Sequence, residues 1–195
     1  MLIKISGLSK SFKGKKVLDN VSLVLTNGIY LLTGASGSGK TTFARILCSL
    51  EKPESGAISA FSVSYMFQEP RLFPWMTAFD NVQKISGCDM EKANFLLSSL
   101  ELKNELKALP NELSVGMQRR VSLARTLARK AELYVFDEPM AGLDERIRVI
   151  SCDLIRKTIP IDSTAIIISH DTKEIEKISD FKLTLVNRKI SADKS

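Results

Sequence analysis

The sequence predicts an α/β fold with a mostly parallel core sheet, an antiparallel β lobe and a small helical subdomain. Short apolar runs alternate with segments of helical period, the pattern of parallel strands joined through helices. Two apolar runs, "LIKI" and "VSLVL", stand close together ahead of the first helix and read as an antiparallel pair. From Trp75 to about Leu109 the alternation stops and the period is helical throughout.

Taken in order, "IYLLTG" is a continuous apolar run of strand length, as expected for a strand buried on both faces. "TTFARILCSL" after it reads as a helix, and "VSYMF" as another strand. "MEKANFLLSSL" puts Met90, Ala93, Leu97 and Leu100 on one helical face. In "LSVGMQRR" Ser114 stands ready to cap the helix that continues through "VSLARTLARK". A helix begun this way leaves backbone N–H groups free, and such an end suits an anion. "LYVFDEP" is a strand ended by two acids and Pro139. "LDERIRVISCDLIRKTI" is a helix with Ile147, Ile150, Leu154 and Ile155 facing inward. "TAIIISHD" contains a fully buried strand, and "KLTLV" and "KISA" flank "NR" as a terminal hairpin. With no repeat and no linker, residues 1–195 form one domain, carrying a helical insert at about 75–130.

Composition narrows the function. At 195 residues and 44% hydrophobic content the chain is globular with a full core. Its formal charge of +6 permits a nucleic acid or an anionic membrane surface. The basic residues are scattered, however, so a solvated surface is the simpler reading. Cys48, Cys88 and Cys152 form no C-x-x-C pair and His170 is the only histidine, which argues against a zinc site and a disulfide framework. Reduced thiols fit a cytosolic protein. The N-terminus lacks the apolar core of a signal peptide, and no apolar run nears the ~20 residues of a membrane helix. Any membrane role must come through a partner.

The chemistry is concentrated in a few segments. "GASGSGKT", Gly34 to Thr41, matches G-x-x-x-x-G-K-[ST] between an expected strand and an expected helix, the context of a phosphate-binding loop. Its backbone N–H groups wrap a triphosphate, Lys40 reaches the β and γ phosphates, and the Thr41 hydroxyl can ligate Mg²⁺. A nucleotide hydrolase also needs a carboxylate near the metal at the end of a neighbouring strand, which is where Asp137 stands. Glu138 beside it is placed to polarise a water. His170 ends another strand, where its imidazole can donate to a γ-phosphate oxygen. Gln68 follows "VSYMF", where its amide can ligate Mg²⁺ or hold a water.

These segments, in this order, resemble the ATPase subunit of ABC transporters. "GASGSGKT" is similar to the family's phosphate loop, "MFQEP" to its glutamine loop and "LSVGM" to its signature segment. "LYVFDEP", "AGLD" ending at Asp144, and "ISHD" resemble the magnesium and base strand, the following loop and the histidine loop. Phe12 in "SKSFKG" matches the aromatic that stacks on adenine. The resemblance implies that Gly34, Ala35, Ser36, Gly37, Ser38, Gly39, Lys40, Thr41 and Thr42 hold the phosphates. It implies that Thr41, Gln68 and Asp137 attend Mg²⁺, with Glu138 as general base and His170 sensing the γ-phosphate. Ser114 and Gly116 would serve the ATP of a second copy in a head-to-tail dimer, and Asp144 is a further nucleotide-binding residue. "QEPRLFPWMTAFDNV" resembles importers of the nitrate, sulfonate and taurine type, so the implied partners are membrane permease subunits and a solute-binding protein. Leu72, Phe73 and Trp75 would either floor a groove for a permease helix or form an apolar corner packed under the helical insert, with the ATPase on the inner face of the cell membrane and no nucleic acid bound.

Val115 departs from the family, which usually has glycine there. Its side chain either crowds the second copy's nucleotide or points away as an early helix residue. Met117 and Ala141 also replace a usual glutamine and serine. The alternative function is a soluble ATPase of the same type acting on nucleic acid or ribosomes. A small-molecule kinase would have no use for "LSVGM" or "ISHD".

Overall fold

The computed structural model of the protein describes residues 2–170 and 172–194. Strands β1 (Ile3–Phe12), β2 (Lys15–Leu25) and β4 (Ser55–Ile58) make an antiparallel sheet in the order β2-β1-β4. The second sheet joins β3 (Gly28–Thr33), β5 (Val63–Met66), β6 (Leu133–Asp137), β7 (Thr164–Ile168), β8 (Phe181–Val186) and β9 (Lys189–Lys194) in the order β5-β6-β7-β3-β8-β9. Neighbours from β5 to β8 run parallel, and β9 returns antiparallel to β8 through Asn187 and Arg188, both at positive φ. Two such residues twist a tight hairpin in the same hand as its strands. The helices are α1 (Lys40–Leu47), α2 (Ala78–Ser86), α3 (Met90–Ser99), α4 (Val115–Ala128), α5 (Glu145–Thr158) and α6 (Lys173–Ile178).

Every residue of β6 and β7 is buried, because helices cover one face of the sheet and the β lobe with α1 covers the other. Side chains alternate between the faces with the two-residue period of a strand. Tyr134, Phe136, Ala165 and Ile167 join the core shared with α2 to α6. Leu133, Val135, Ile166 and Ile168 join the one shared with Phe43 of α1 and Leu8, Leu18 and Leu25 of the lobe. The sheet therefore sits between two cores, and its residues cannot shift without disturbing both.

Side-chain caps set where the longer helices begin. Thr77, Asp89, Ser114 and Asp144 each accept from the backbone N–H three residues on, at 3.1, 2.7, 3.2 and 2.9 Å. Each such cap stabilises its helix by about 1 kcal/mol. Helices α2 and α3 pack on α4 through Val82, Ala93, Leu96, Leu97, Val121 and Leu123. Residues 100–114, between α3 and α4, are turns with one short 3₁₀ segment at Pro110–Glu112, so the helical stretch expected up to Leu109 ends earlier.

The expectation for Met90 is corrected. It is 65% exposed, because it is the first residue of α3 and its side chain lies off the end of the packed face, which Ala93, Leu96, Leu97 and Leu100 make instead. Ile147, Leu154 and Ile155 are buried on α5 and Ile150 packs half-buried beside them. No helix of the described residues is long and apolar enough to cross a membrane.

Candidate active site

Because β3, β5, β6 and β7 are parallel, their carboxyl ends open on one edge of the sheet, where ligands of such sheets bind. The loop 34–39 leaves β3, Gln68 follows β5, Asp137 and Glu138 close β6, and Ser169 and His170 follow β7. They surround a cleft of about 510 Å³ lined by Ser36, Gly37, Gly39, Lys40, Thr41, Thr42, Gln68, Asp137, Glu138 and His170, with Val17, Ala141 and Ile168.

The loop needs glycine where its backbone is crowded. At Gly34, with φ 150°, a Cβ would lie 2.6 Å from the Leu185 carbonyl oxygen. At Gly39, with φ 112°, it would lie 2.5 Å from Val17 Cγ1. Lys40 then opens α1 and folds back over the loop. Its ammonium donates to the carbonyls of Gly34 and Ala35 at 2.8 and 3.0 Å. It is only 6% exposed, because those carbonyls and the cleft wall enclose it. Burial lowers its pKa, opposed by the charges of Glu138 and Asp137. An ammonium has three donors, so one remains for a phosphate.

Asp137 is 2% exposed. The Thr41 hydroxyl lies 3.4 Å from its Oδ1, and the Tyr65 hydroxyl donates to its Oδ2 at 3.1 Å. A hydroxyl, a carboxylate and the nearby Gln68 amide form an oxygen donor set that fits Mg²⁺. Burial raises the Tyr65 pKa, and the Asp137 charge and the hydrogen bond to it raise it further, so the phenol stays a donor. Sequence reasoning passed over Tyr65. The signal was a polar-tipped aromatic in the otherwise apolar run "VSYMF".

Glu138 has φ 53°, left-handed for a residue with a side chain. Its peptide is held from both sides: its N–H donates to Ile168 O at 2.9 Å, and Arg119 donates to its carbonyl at 2.9 Å. Its Oε2 lies 3.4 Å from both Ser169 Oγ and the His170 N–H, and its Oε1 lies 3.5 Å from His170 Nε2. Oε1 is buried yet has no hydrogen-bond partner. Glu138 lines the cleft, where a carboxylate can serve as a general base.

The remaining expected residues lie outside the cleft lining. Gly34, Ala35 and Ser38 form the back of the loop. Phe12 ends β1, 44% exposed, with the Lys10 ammonium 5.0 Å from its ring centroid. Ser114 caps α4, and Asp144 caps α5. Gly116 packs beside the loop before α5, where a Cβ would meet Leu143 Cδ2 at 3.7 Å and Gly142 O at 3.8 Å. Ser114, Gly116 and Asp144 thus belong to adjacent helix starts, apart from the residues around Lys40.

The sequence profile of the ABC transporter family matches residues 18–141. The chain belongs to the ABC transporter family. It is an ATP-binding ATPase subunit of that family. Among its ABC relatives, the aliphatic sulfonates import ATP-binding protein SsuB of Corynebacterium glutamicum is 38% identical, over 93% of this chain and 79% of that protein. The SsuB protein of Delftia acidovorans is 37% identical, over 98% and 82%. A probable sulfate/thiosulfate import ATP-binding protein, CysA of Chlorella vulgaris, is 36% identical, over 97% and 89%. A solved ATP-binding subunit of an ABC transporter superposes with a TM-score of 0.89 at 21% identity, covering 100% of this chain and 90% of that one. The ATP-binding cassette MJ0796, a dimer in a post-hydrolysis state with ADP and Pi, superposes with a TM-score of 0.85 at 24% identity, covering 98% of each chain.

Proposed function

We propose that this chain powers an importer by closing as a head-to-tail pair on two Mg-ATP and opening after hydrolysis. The observation that carries this reading is the split site. The cleft around Lys40 gathers the phosphate loop, Asp137, Glu138 and His170, while Ser114, which caps α4, is not among the residues that line it. A second copy brings the two halves together across one nucleotide.

In this reading Phe12 stacks on adenine and the loop from Gly34 to Thr42 wraps the phosphates. Lys40 turns its remaining donor to the β and γ phosphates. Thr41, Asp137 and Gln68 hold Mg²⁺, which when bound offsets charge building on the phosphates. The Glu138 carboxylate takes the proton of the attacking water, and His170, whose Nε2 lies 3.5 Å from Oε1, meets the γ-phosphate. Most of the rate comes from positioning and fixed charge rather than covalent chemistry. Asp144 sits beside Gly116 and the partner's nucleotide.

Import follows from the relatives named for sulfonate and sulfate import. The partners would be permease subunits with a solute-binding protein, and the place the inner face of a membrane. Phe73 and Trp75 are 36% and 71% exposed, their rings 5.5 Å apart, on a turn pinned by buried Asn81. They fit the permease contact. Leu72 instead packs half-buried on the helical core. No finding favours a nucleic-acid or ribosome ATPase.

Ser114→Arg tests the split. ATP binding by the single chain should stay within about twofold of wild type while turnover is lost, since the residue serves the other copy's nucleotide. Equilibrium binding of a fluorescent ATP analogue, beside phosphate release, reads both. Parallel loss of binding and turnover would place Ser114 in its own chain's site.

A further inference from the structure

Two arginines of α4 reach across to the loops of the cleft. Arg119 donates from one terminal nitrogen to the Glu138 carbonyl at 2.9 Å and from the other to the Gln68 carbonyl at 3.0 Å. Arg125, six residues on, donates to the carbonyls of Pro70 and Arg71 at 2.8 and 2.9 Å. The loop after β5 is therefore fastened to α4 along its length. Arg119 alone also takes hold of the strand end that carries Glu138.

That hold falls on a strained residue. A non-glycine residue at φ 53° keeps its conformation only when its surroundings impose it. On the N–H side the constraint is β7, through Ile168. On the carbonyl side it is Arg119 at 2.9 Å, with a longer bond from the Ala141 N–H at 3.3 Å. The planar fork of a guanidinium suits two acceptors at once, which a lysine ammonium on its flexible stem matches poorly. Arg119 Nε is buried without a partner, so the side chain is spent on these two carbonyls. Five residues earlier α4 begins at Ser114, about 7.5 Å along a rigid helix.

We propose that Arg119 is a positioning residue, coupling the orientation of α4 to Glu138 and Gln68 so that the base is aligned only when the Ser114 end of α4 is seated. This rests on Glu138 being the base and Ser114 serving a second copy's nucleotide. When the partner's ATP seats Ser114, α4 moves as a body. Arg119 then carries that displacement to the Glu138 peptide and to the Gln68 loop together. Each copy's base thus answers to the nucleotide held by the other copy.

The test compares Arg119→Ala, Arg119→Lys, Glu138→Gln and the double variant Arg119→Ala/Glu138→Gln in the full chain. Turnover, ATP-analogue affinity and thermal midpoint are measured for each. We expect kcat to fall about 10- to 100-fold in Arg119→Ala and by less in Arg119→Lys, with ATP affinity within about twofold of wild type. Effects of residues that act as a unit are not additive, so adding Arg119→Ala to Glu138→Gln should slow the residual turnover no further. A purely structural arginine would instead lower the thermal midpoint and slow the double variant in proportion. Additive losses, unchanged kcat in Arg119→Ala, or ATP affinity falling with kcat in both Arg119 variants would each overturn the proposal. Where Arg119→Ala fails to fold, Arg119→Lys decides by the same split between kcat and affinity. Normal turnover in Glu138→Gln would overturn the base assignment itself, a result separate from the Arg119 outcomes.

Discussion

At Asp137 two hydroxyls decide which way a buried carboxylate faces. Tyr65 holds Oδ2 at 3.1 Å, and that leaves Oδ1 toward Thr41 at 3.4 Å. Groups that orient a metal ligand typically change affinity by about 10- to 100-fold when removed. Tyr65→Phe keeps the ring against Phe67, whose centroid lies 4.6 Å away, and deletes only the donor. We expect the Mg²⁺ concentration for half-maximal ATP-analogue binding to rise about tenfold, with metal-free binding unchanged. An unaltered Mg²⁺ dependence would show that Tyr65 serves packing alone. Asp137 itself was legible because it ends a hydrophobic strand downstream of a phosphate loop. Tyr65 was not, because its partner is 72 residues away and no local pattern announces a hydrogen bond. Lys40 was legible as a phosphate ligand yet not as a buried one. The carbonyls that enclose it belong to a loop whose path depends on Leu185 and Val17.

Among the elements, those with strong local signals were read at close to their true bounds: β3, β6, β7, α4, α5 and the terminal hairpin. Their apolar periods are long and their caps are single residues such as Ser114 and Asp144. The strand β4 escaped because "SGAI" has four residues, none fully buried, and a serine and glycine that suggest a turn. Its conformation comes from pairing with β1, 50 or so residues earlier, so the information lies outside the segment. The helix α6 has six residues, too few to show a period. Just after it, Asp180 ties three elements together. Its Oδ2 accepts from the Ile29 N–H at 2.8 Å and from Arg156 of α5 at 2.7 Å, at the start of β8. Burial alone would raise this carboxyl's pKa. The hydrogen bonds from Arg156 and Ile29 and the Arg156 charge outweigh it, and hold the pKa below its usual value. A depressed folded-state pKa stabilises the fold above the unfolded-state value and loses that contribution as pH falls through the folded one. Asp180→Asn should therefore cost about 1 kcal/mol at pH 7, discounted for partial exposure. The difference from wild type should shrink below about pH 4. Urea unfolding of both proteins from pH 7 to pH 3 measures it. A gap independent of pH would mean that the charge contributes nothing.

In the proposed reading the molecule as a whole presents half a catalytic site on each of two surfaces, and the wild-type chain should pass quickly between one copy and two. Glu138→Gln keeps size and hydrogen bonding but cannot take the water's proton, and loss of a general base typically slows a reaction about 10²–10⁴-fold. ATP should still bind, since Lys40, Thr41 and Asp137 are untouched, and the pair should stay closed. Light scattering of this variant is expected to show a dimer with ATP and a monomer with ADP or no nucleotide. A monomer in all three states, with ATP bound, would count against the shared site. The edges of the core sheet bear on the same behaviour. At one end β5 offers four residues to any newcomer strand, and at the other β9 exposes Lys189 and Asp193. Short or charged edges discourage strands of different molecules from annealing. Crowded chains thus have little chance to zip together irreversibly. In the proposed reading, contact between copies is left to a small molecule that the reaction itself consumes, so each embrace carries its own expiry.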